Sequence, residues 1–413
     1  MSDGSAFPPI ERTDWLGAPE ALRLVEGGSV TTTPGFVAAG VSCGLKESGD
    51  LDLGLLAAEG PVVSALVDTR NALPAAAIVR NRRQPADGFR AVVVNSGSAN
   101  AGTGERGVAN SEAMAARAAD GLGLEASRVA VSSTGTIGDQ LRMDAIERGI
   151  DAALAERSPH DDGRFGRAIC TTDAWPKGGA FRLSVEEGEI VIGAAAKGAG
   201  MISPGMATML AYLTTDAPVD ADALQRATAR AAAASFNRIS VDGQMSPSDT
   251  VLVLSTGRSA ALSPASVVTF EAALTAIMRW LALQMVRDGE GADHAVRAVV
   301  SGARDDAEAE RVARAVGNSP LVKTAVAGRD PNGGRVEQAV GHALLGAPEP
   351  IGGVSAAVDG VPLDAGRAKE AAEVMSRGEY DLAITLMRGA GEAEVWFSDL
   401  THAYVSLNTD YRT

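Results

Sequence analysis

The chain has 413 residues, 46% of them hydrophobic and only 4% aromatic, with 47 glycines; 37 basic against 52 acidic residues leave a net charge of −15. That length predicts two or more packed subdomains, and an acidic chain without a Lys/Arg stripe argues against a nucleic-acid partner. Cys43 and Cys170 are too few for a disulfide framework, and His160, His294, His342 and His402 lack ligand spacing, so reduced buried thiols, surface histidines and no metal are expected.

In chain order, residues 1–30 carry Pro, Gly and charges without periodicity and read as a loose extension. No basic stretch leads into an apolar one there, so secretion is not indicated and a soluble, cytoplasmic protein is expected. Phe89 to Val94 is a β-branched run ending in the turn-rich Asn95-Ser96-Gly97. Ser111 to Ala119 is Ala-rich and helical after an Asn110 cap, stopping at Gly121. Arg128 to Ser132 is again a strand, delivering Thr134-Gly135 at its end.

Asp220 to Ala234 reads as a helix and Val251 to Ser255 as a buried strand. Ser263 caps a long helix with Pro264 at its first position, running to Val286; Glu271 and Arg279 mark it as amphipathic rather than membrane-spanning. Val296 to Gly302 is a strand and Asp305 to Val316 a helix; Val354 to Leu363 and Leu382 to Val405 read as strands around a short helix. There is no internal repeat or low-complexity linker, and a mixed α/β architecture follows.

The most informative stretch is KGAGMISPGMATMLAYLTTDA, Lys197 to Ala217. Taken alone, Thr208 between Met206 and Met209 reads as a packed β-branched residue. If the chain breaks before it, however, one residue supplies both a hydroxyl nucleophile and an α-amine base of pKa about 7.7–8.0. Gly198, Gly200 and Pro204 would hold the Ala207–Thr208 bond in a strained turn.

This stretch resembles the processing site of the ornithine acetyltransferase family, the bifunctional glutamate N-acetyltransferases of the cyclic arginine pathway. Further blocks follow in that family's order: NSGSANAGTG (Asn95 to Gly104), SSTGTIG (Ser132 to Gly138), TTDAWPK (Thr171 to Lys177), SFNRISVDGQMSPSDT (Ser235 to Thr250), DGEGA (Asp288 to Ala292), GNSPLVKTAVAGRDPN (Gly317 to Asn332) and SLNTDYRT at the C-terminus.

The resemblance implies stacked β-sheets flanked by helices, a fold shared with DmpA-like aminopeptidases. It implies cleavage at Ala207-Thr208 into chains 1–207 and 208–413, the second with a smaller subdomain over about 295–400, and a heterotetramer of two chain pairs. Thr208 would be the nucleophile and Thr134 with Gly135 the oxyanion pair. Thr171, Lys197, Glu290, Asn408 and Thr413 would bind substrate, Lys197 at its carboxylate and Glu290 at its terminal ammonium. Acetyl would pass from N2-acetyl-L-ornithine to L-glutamate through an acetyl-threonine ester, without cofactor. Another N-acyl amino acid or amine as substrate, or water as acceptor in an amidohydrolase or aminopeptidase, are the alternatives.

Departures from the family pattern are expected near the pocket: Ala174, Ser98, Gly102, Gln244, Met245, and Gly333 in place of a tryptophan, which would open space for a different substrate.

Overall fold

Ala91–Val94 and Val251–Leu254 are continuous apolar runs, and a strand reads that way when both of its faces are covered. The computed structural model describes residues 9–203, 209–347 and 352–410, and bears this out. Val92 and Val94 face a second sheet while Ala91 and Val93 face helices; Leu252 and Leu254 meet them from the other sheet, with Val251 and Val253 turned to helices of their own.

In chain order the strands are β1 Leu22–Val25, β2 Phe36–Val41, β3 Leu53–Ala58, β4 Val63–Asp68, β5 Ala91–Ser98, β6 Val129–Thr136, β7 Lys177–Val185, β8 Gly188–Lys197, β9 Leu210–Thr215, β10 Ile239–Ser240, β11 Thr250–Ser255, β12 Ala295–Ala303, β13 Val354–Val358, β14 Val361–Pro362, β15 Glu379–Leu386 and β16 Gly391–Ser398. They form three sheets in the orders β1-β7-β8-β9-β11-β4, β2-β3-β5-β6 and β10-β16-β12-β15-β13-β14.

The first two sheets stack through Phe36, Leu56, Val92, Val94, Tyr212, Leu252 and Leu254. Helices Gly104–Leu122 and Met143–Glu156 cover the outer face of the four-stranded sheet, and Ala221–Ala233 with Pro264–Arg287 that of the six-stranded one. The result is the expected arrangement of stacked sheets flanked by helices. The third sheet has its own core beneath helices Asp306–Gly317, Pro320–Ala327, Gly333–Ala343 and Ala368–Met375.

Several local expectations are corrected. Asn110 lies inside a helix that begins at Gly104, and Gly123, in the left-handed region, ends it rather than Gly121. The N-terminal segment from Pro9 onward is tied down: Trp15 is buried and donates its indole N–H to Asp381 at 2.9 Å, Arg12 pairs with Asp359 and Asp381, and β1 adds to β7. His402–Asp410 is a helix where a strand was expected. His294 is buried, its Nδ1 2.7 Å from Asp399 Oδ2, and not a surface histidine. Cys43 and Cys170 are free and half-buried, and burial pushes both thiols up to about 12.

The long helix behaves as amphipathic only over its first half. From Ala276 to Val286 most positions are buried, because the third sheet covers the side that the first sheet does not. It is long and apolar enough to cross a membrane, yet its apolar surface is used inside the molecule.

Leu252 is fully buried between the two stacked sheets. Leu252→Ala should therefore cost about 2–5 kcal/mol, read as a lower urea midpoint with unchanged slope.

Candidate active site

Four strand ends converge. β5 and β6 run parallel and pair Gly97 with Gly135 one residue before both finish; β8 finishes at Lys197, which pairs in register with Leu210 at the start of β9. A cavity of about 370 Å³ opens at this junction, and its walls include Thr134, Gly135, Thr171, Lys197, Glu290 and Asn408. Six residues picked from sequence thus share one space. Thr208 and Ala207, with Thr413, lie outside the described residues; Met209, the residue after Thr208, is buried at the head of β9.

Gly135 has a reason to be glycine. Its φ is +125°, and an added Cβ would sit 2.4 Å from the Gly97 carbonyl carbon. This close approach leaves the Thr134–Gly135 backbone at the cavity wall, with the Thr134 side chain almost wholly buried.

Lys197 is held by a buried charge cluster. Asp173 accepts the Thr171 N–H (3.0 Å), the Gly198 N–H (2.7 Å) and the Lys177 ammonium (2.7 Å), and lies 3.8 Å from Lys197 Nζ. Lys177 also reaches Asp288 at 2.5 Å, and Asp288 accepts the Ala174 N–H at 3.0 Å. Burial alone would raise Asp173; the ammonium groups of Lys197 and Lys177 outweigh it and hold the carboxyl well below the usual range. At 3.8 Å this is an ion pair rather than a hydrogen bond, and Lys197 lines the cavity, where an ammonium has three donors to offer an anion.

The opposite wall is acidic. Glu290 Oε2 accepts Asn408 Nδ2–H at 2.8 Å, and Gly200 passes so close that a Cβ there would meet the Glu290 carboxyl at 2.4 Å. Asp242 takes the N–H groups of Met201 (2.6 Å), Ile202 (2.9 Å) and Gln244 (3.0 Å), with the Tyr404 hydroxyl at 3.4 Å. Met201 is held at φ +52°, a conformation that costs a non-glycine residue about 1–3 kcal/mol. Burial raises the Asp242 carboxyl.

Asp173, Lys177, Asp242, Asp288 and Tyr404 were not singled out from sequence. The first two lie four apart in the TTDAWPK block, the signal by which they were findable. Among the expected departures, Gln244 and Met245 line the cavity, and Ala174 lines a neighbouring cavity of about 970 Å³ that shares Thr171. Ser98, Gly102 and Gly333 line neither. Gly333 begins a helix of the third-sheet subdomain, where a Cβ would sit 2.7 Å from the Leu363 carbonyl oxygen; it does not open the pocket.

The family model described as ArgJ family matches residues 37–413. The chain belongs to the ArgJ family. The arginine biosynthesis bifunctional protein ArgJ of Symbiobacterium thermophilum is 43% identical over 400 residues, covering 94% of this chain and 99% of its own length. That of Bacillus subtilis is 40% identical over 397 residues, covering 94% and 97%. Among solved structures, ornithine acetyltransferase from Mycobacterium tuberculosis complexed with ornithine is similar at 39% identity, over 44% of this chain and 98% of its own, with a TM-score of 0.41. As an ArgJ family member the chain is an enzyme, and the sequence resemblance is met.

Behind Asp242 lies Lys323, fully buried, its ammonium on the Ser398 carbonyl. Burial pushes it down to about 7 from 10.5, with Asp399 and Asp242 pulling it back. Between those values the unfolded chain holds a proton that the folded one has released, so stability rises with pH across that window. Lys323→Met should flatten this rise, measured by urea unfolding at pH 7 and pH 9.5.

Proposed function

We propose that the chain cleaves itself between Ala207 and Thr208 and then moves acetyl from N2-acetyl-L-ornithine to L-glutamate, each half-reaction passing through an acetyl ester on Thr208. The relatives named as arginine biosynthesis bifunctional proteins support acetyl transfer in that pathway. The observation that carries the reading is the cavity itself. It sets a lysine against a glutamate across a strand-end turn that can supply oxyanion donors, at the start of the strand that Thr208 precedes.

The chemistry follows from that arrangement. An α-amino acid with an ammonium tail carries its charges at opposite ends, so Lys197 binds the carboxylate and Glu290, oriented by Asn408, binds the ammonium. The amide carbonyl then lies between them, where the Gly135 N–H and Thr134 hydroxyl meet the developing oxyanion; removal of one such donor typically costs about 3–4 kcal/mol. Thr171 and Thr413 add substrate contacts. Neither metal nor organic cofactor takes part. The mature enzyme is a cytoplasmic heterotetramer of two chain pairs. A second reading keeps the acetyl-threonine but changes the donor or acceptor, and Gln244 and Met245 in the cavity wall favour it to that extent.

Intact-mass spectrometry of purified protein should give fragments 1–207 and 208–413, the second beginning Thr-Met-Leu, while Thr208→Ala stays full length. Active wild type that is uncut would sink the processing step.

With donor alone, the fragment starting at Thr208 should gain one acetyl group, and initial rates with both substrates varied should give parallel double-reciprocal lines. A ternary-complex pattern without acylated fragment would remove Thr208 from its role. Release of acetate at the same rate with and without acceptor would favour a hydrolase.

Lys197→Ala should weaken turnover of every amino-acid donor, whereas Glu290→Gln should harm ammonium-tailed donors at least tenfold more than neutral-tailed ones. Loss of a partner from a desolvated charge pair costs roughly 2–5 kcal/mol, and about 1.4 kcal/mol is tenfold. Equal losses for Glu290→Gln across all donors would make that acid structural.

A further inference from the structure

Glu290 is buried at the cavity wall, and the depth at which its carboxyl sits is set by a stretch of backbone. Gly200 lies against it: a Cβ built there would stand 2.4 Å from Cδ and Oε1 and 2.5 Å from Oε2. Ordinary contact between carbon atoms is about 3.5–4.0 Å, so nothing larger than glycine fits while the carboxyl stays where it is. The backbone itself does not demand glycine, because φ at Gly200 is outside the left-handed region.

The turn that carries Glu290 is fixed, so its carboxyl is the part that can yield. The Glu290 N–H donates to the Ala199 carbonyl at 2.8 Å, tying the turn to the segment that holds Gly200. On one side Asp288 accepts the Lys177 ammonium at 2.5 Å and the Ala174 N–H at 3.0 Å. On the other, Gly291 at φ +68° runs so close to the C-terminal helix that a Cβ would meet the Tyr404 nitrogen at 2.5 Å. A methyl added at Gly200 would therefore displace the free end of the Glu290 side chain by about 1 Å or more, into the cavity that both residues line.

We infer that Gly200 is a specificity-determining residue: by carrying no side chain it lets the Glu290 carboxyl lie against the wall, and so fixes the length of ammonium tail that the cavity accepts from a carboxylate held at Lys197. The inference rests on the reading of Glu290 as the ammonium partner and adds what sets its reach. The ligands concerned are N2-acyl α,ω-diamino acids, which differ only in the number of methylenes between the two charges. Lys197 ends β8, Gly200 follows three residues later, and Glu290 is bonded to Ala199 between them. Both charge partners thus sit on one frame, against which the tail is measured. A shift of about 1 Å in a bound group can cost on the order of 100-fold in rate, so one methylene too many or too few matters.

The test compares kcat/KM for N2-acetyl-L-ornithine, the donor one methylene shorter (N2-acetyl-L-2,4-diaminobutyrate) and the donor one methylene longer (N2-acetyl-L-lysine). Wild type should favour the ornithine donor about tenfold or more over either. In Gly200→Ala the ratio of shorter donor to ornithine donor should rise about tenfold or more. Glu290→Asp withdraws the acid by one methylene, so adding it to Gly200→Ala should return the preference toward ornithine; a glycine needed only for folding would not be rescued in this way. A wild type indifferent to tail length, or a Gly200→Ala ratio that is unmoved or shifted toward the longer donor, overturns the inference alone when Glu290→Gln still harms ammonium-tailed donors selectively. Equal losses in Glu290→Gln overturn the reading beneath it. If Gly200→Ala does not fold, Glu290→Asp decides by itself: its preferred tail should lengthen, and an unmoved ratio overturns the inference.

Discussion

The site depends on one buried set of charges. Lys177 at the first position of β7 joins Asp173 to Asp288, and Asp173 in turn faces Lys197 at the last position of β8. Ions in an interior are tolerated only when paired and hydrogen-bonded, because desolvation otherwise exceeds what Coulomb attraction returns. Here the pairing joins three separate segments: the loop before β7, the inner strands β7 and β8 of the first sheet, and the end of the long helix. Losing one partner would leave the others buried and uncompensated, so this cluster fixes both where Lys197 points and where the Asp288–Glu290 turn begins.

From that anchor the division of charge follows. Lys197 comes from the sheet side and Glu290 from the turn after Arg287, and the C-terminal helix reaches over to place Asn408 on Glu290 and Tyr404 near Asp242. Exposed on most of its surface, this helix is held by a few polar contacts at the mouth of the cavity rather than by a core. The third sheet matters to the site indirectly. By covering the second half of the long helix, it buries the segment from which the acidic wall emerges.

Backbone geometry supplies what side chains cannot. Near the ends of the parallel strands β5 and β6, Gly97 and Gly135 take positive φ values, +120° and +125°, and at Gly135 the two backbones approach within a distance no Cβ would allow. The same segment carries Thr134 and brings its backbone to the cavity wall. The strained Met201, gripped by Asp242, begins the segment that leads toward Thr208.

Local sequence determined much of this protein. Two-faced apolar runs, the Ser263-Pro264 cap and the Asp220 and Asp305 caps specify elements through short-range hydrogen bonding and periodicity, and these matched the structure closely. The resemblance blocks also marked six residues that line one cavity. What only the tertiary structure decided involves partners distant in the chain. Trp15 is buried because Asp381, 366 residues away, accepts its N–H. His294 is interior because Asp399 is there to receive it, and the second half of the helix ending at Arg287 is mostly buried because another sheet covers it. Gly333 looked like a pocket residue in the linear pattern and belongs to another subdomain.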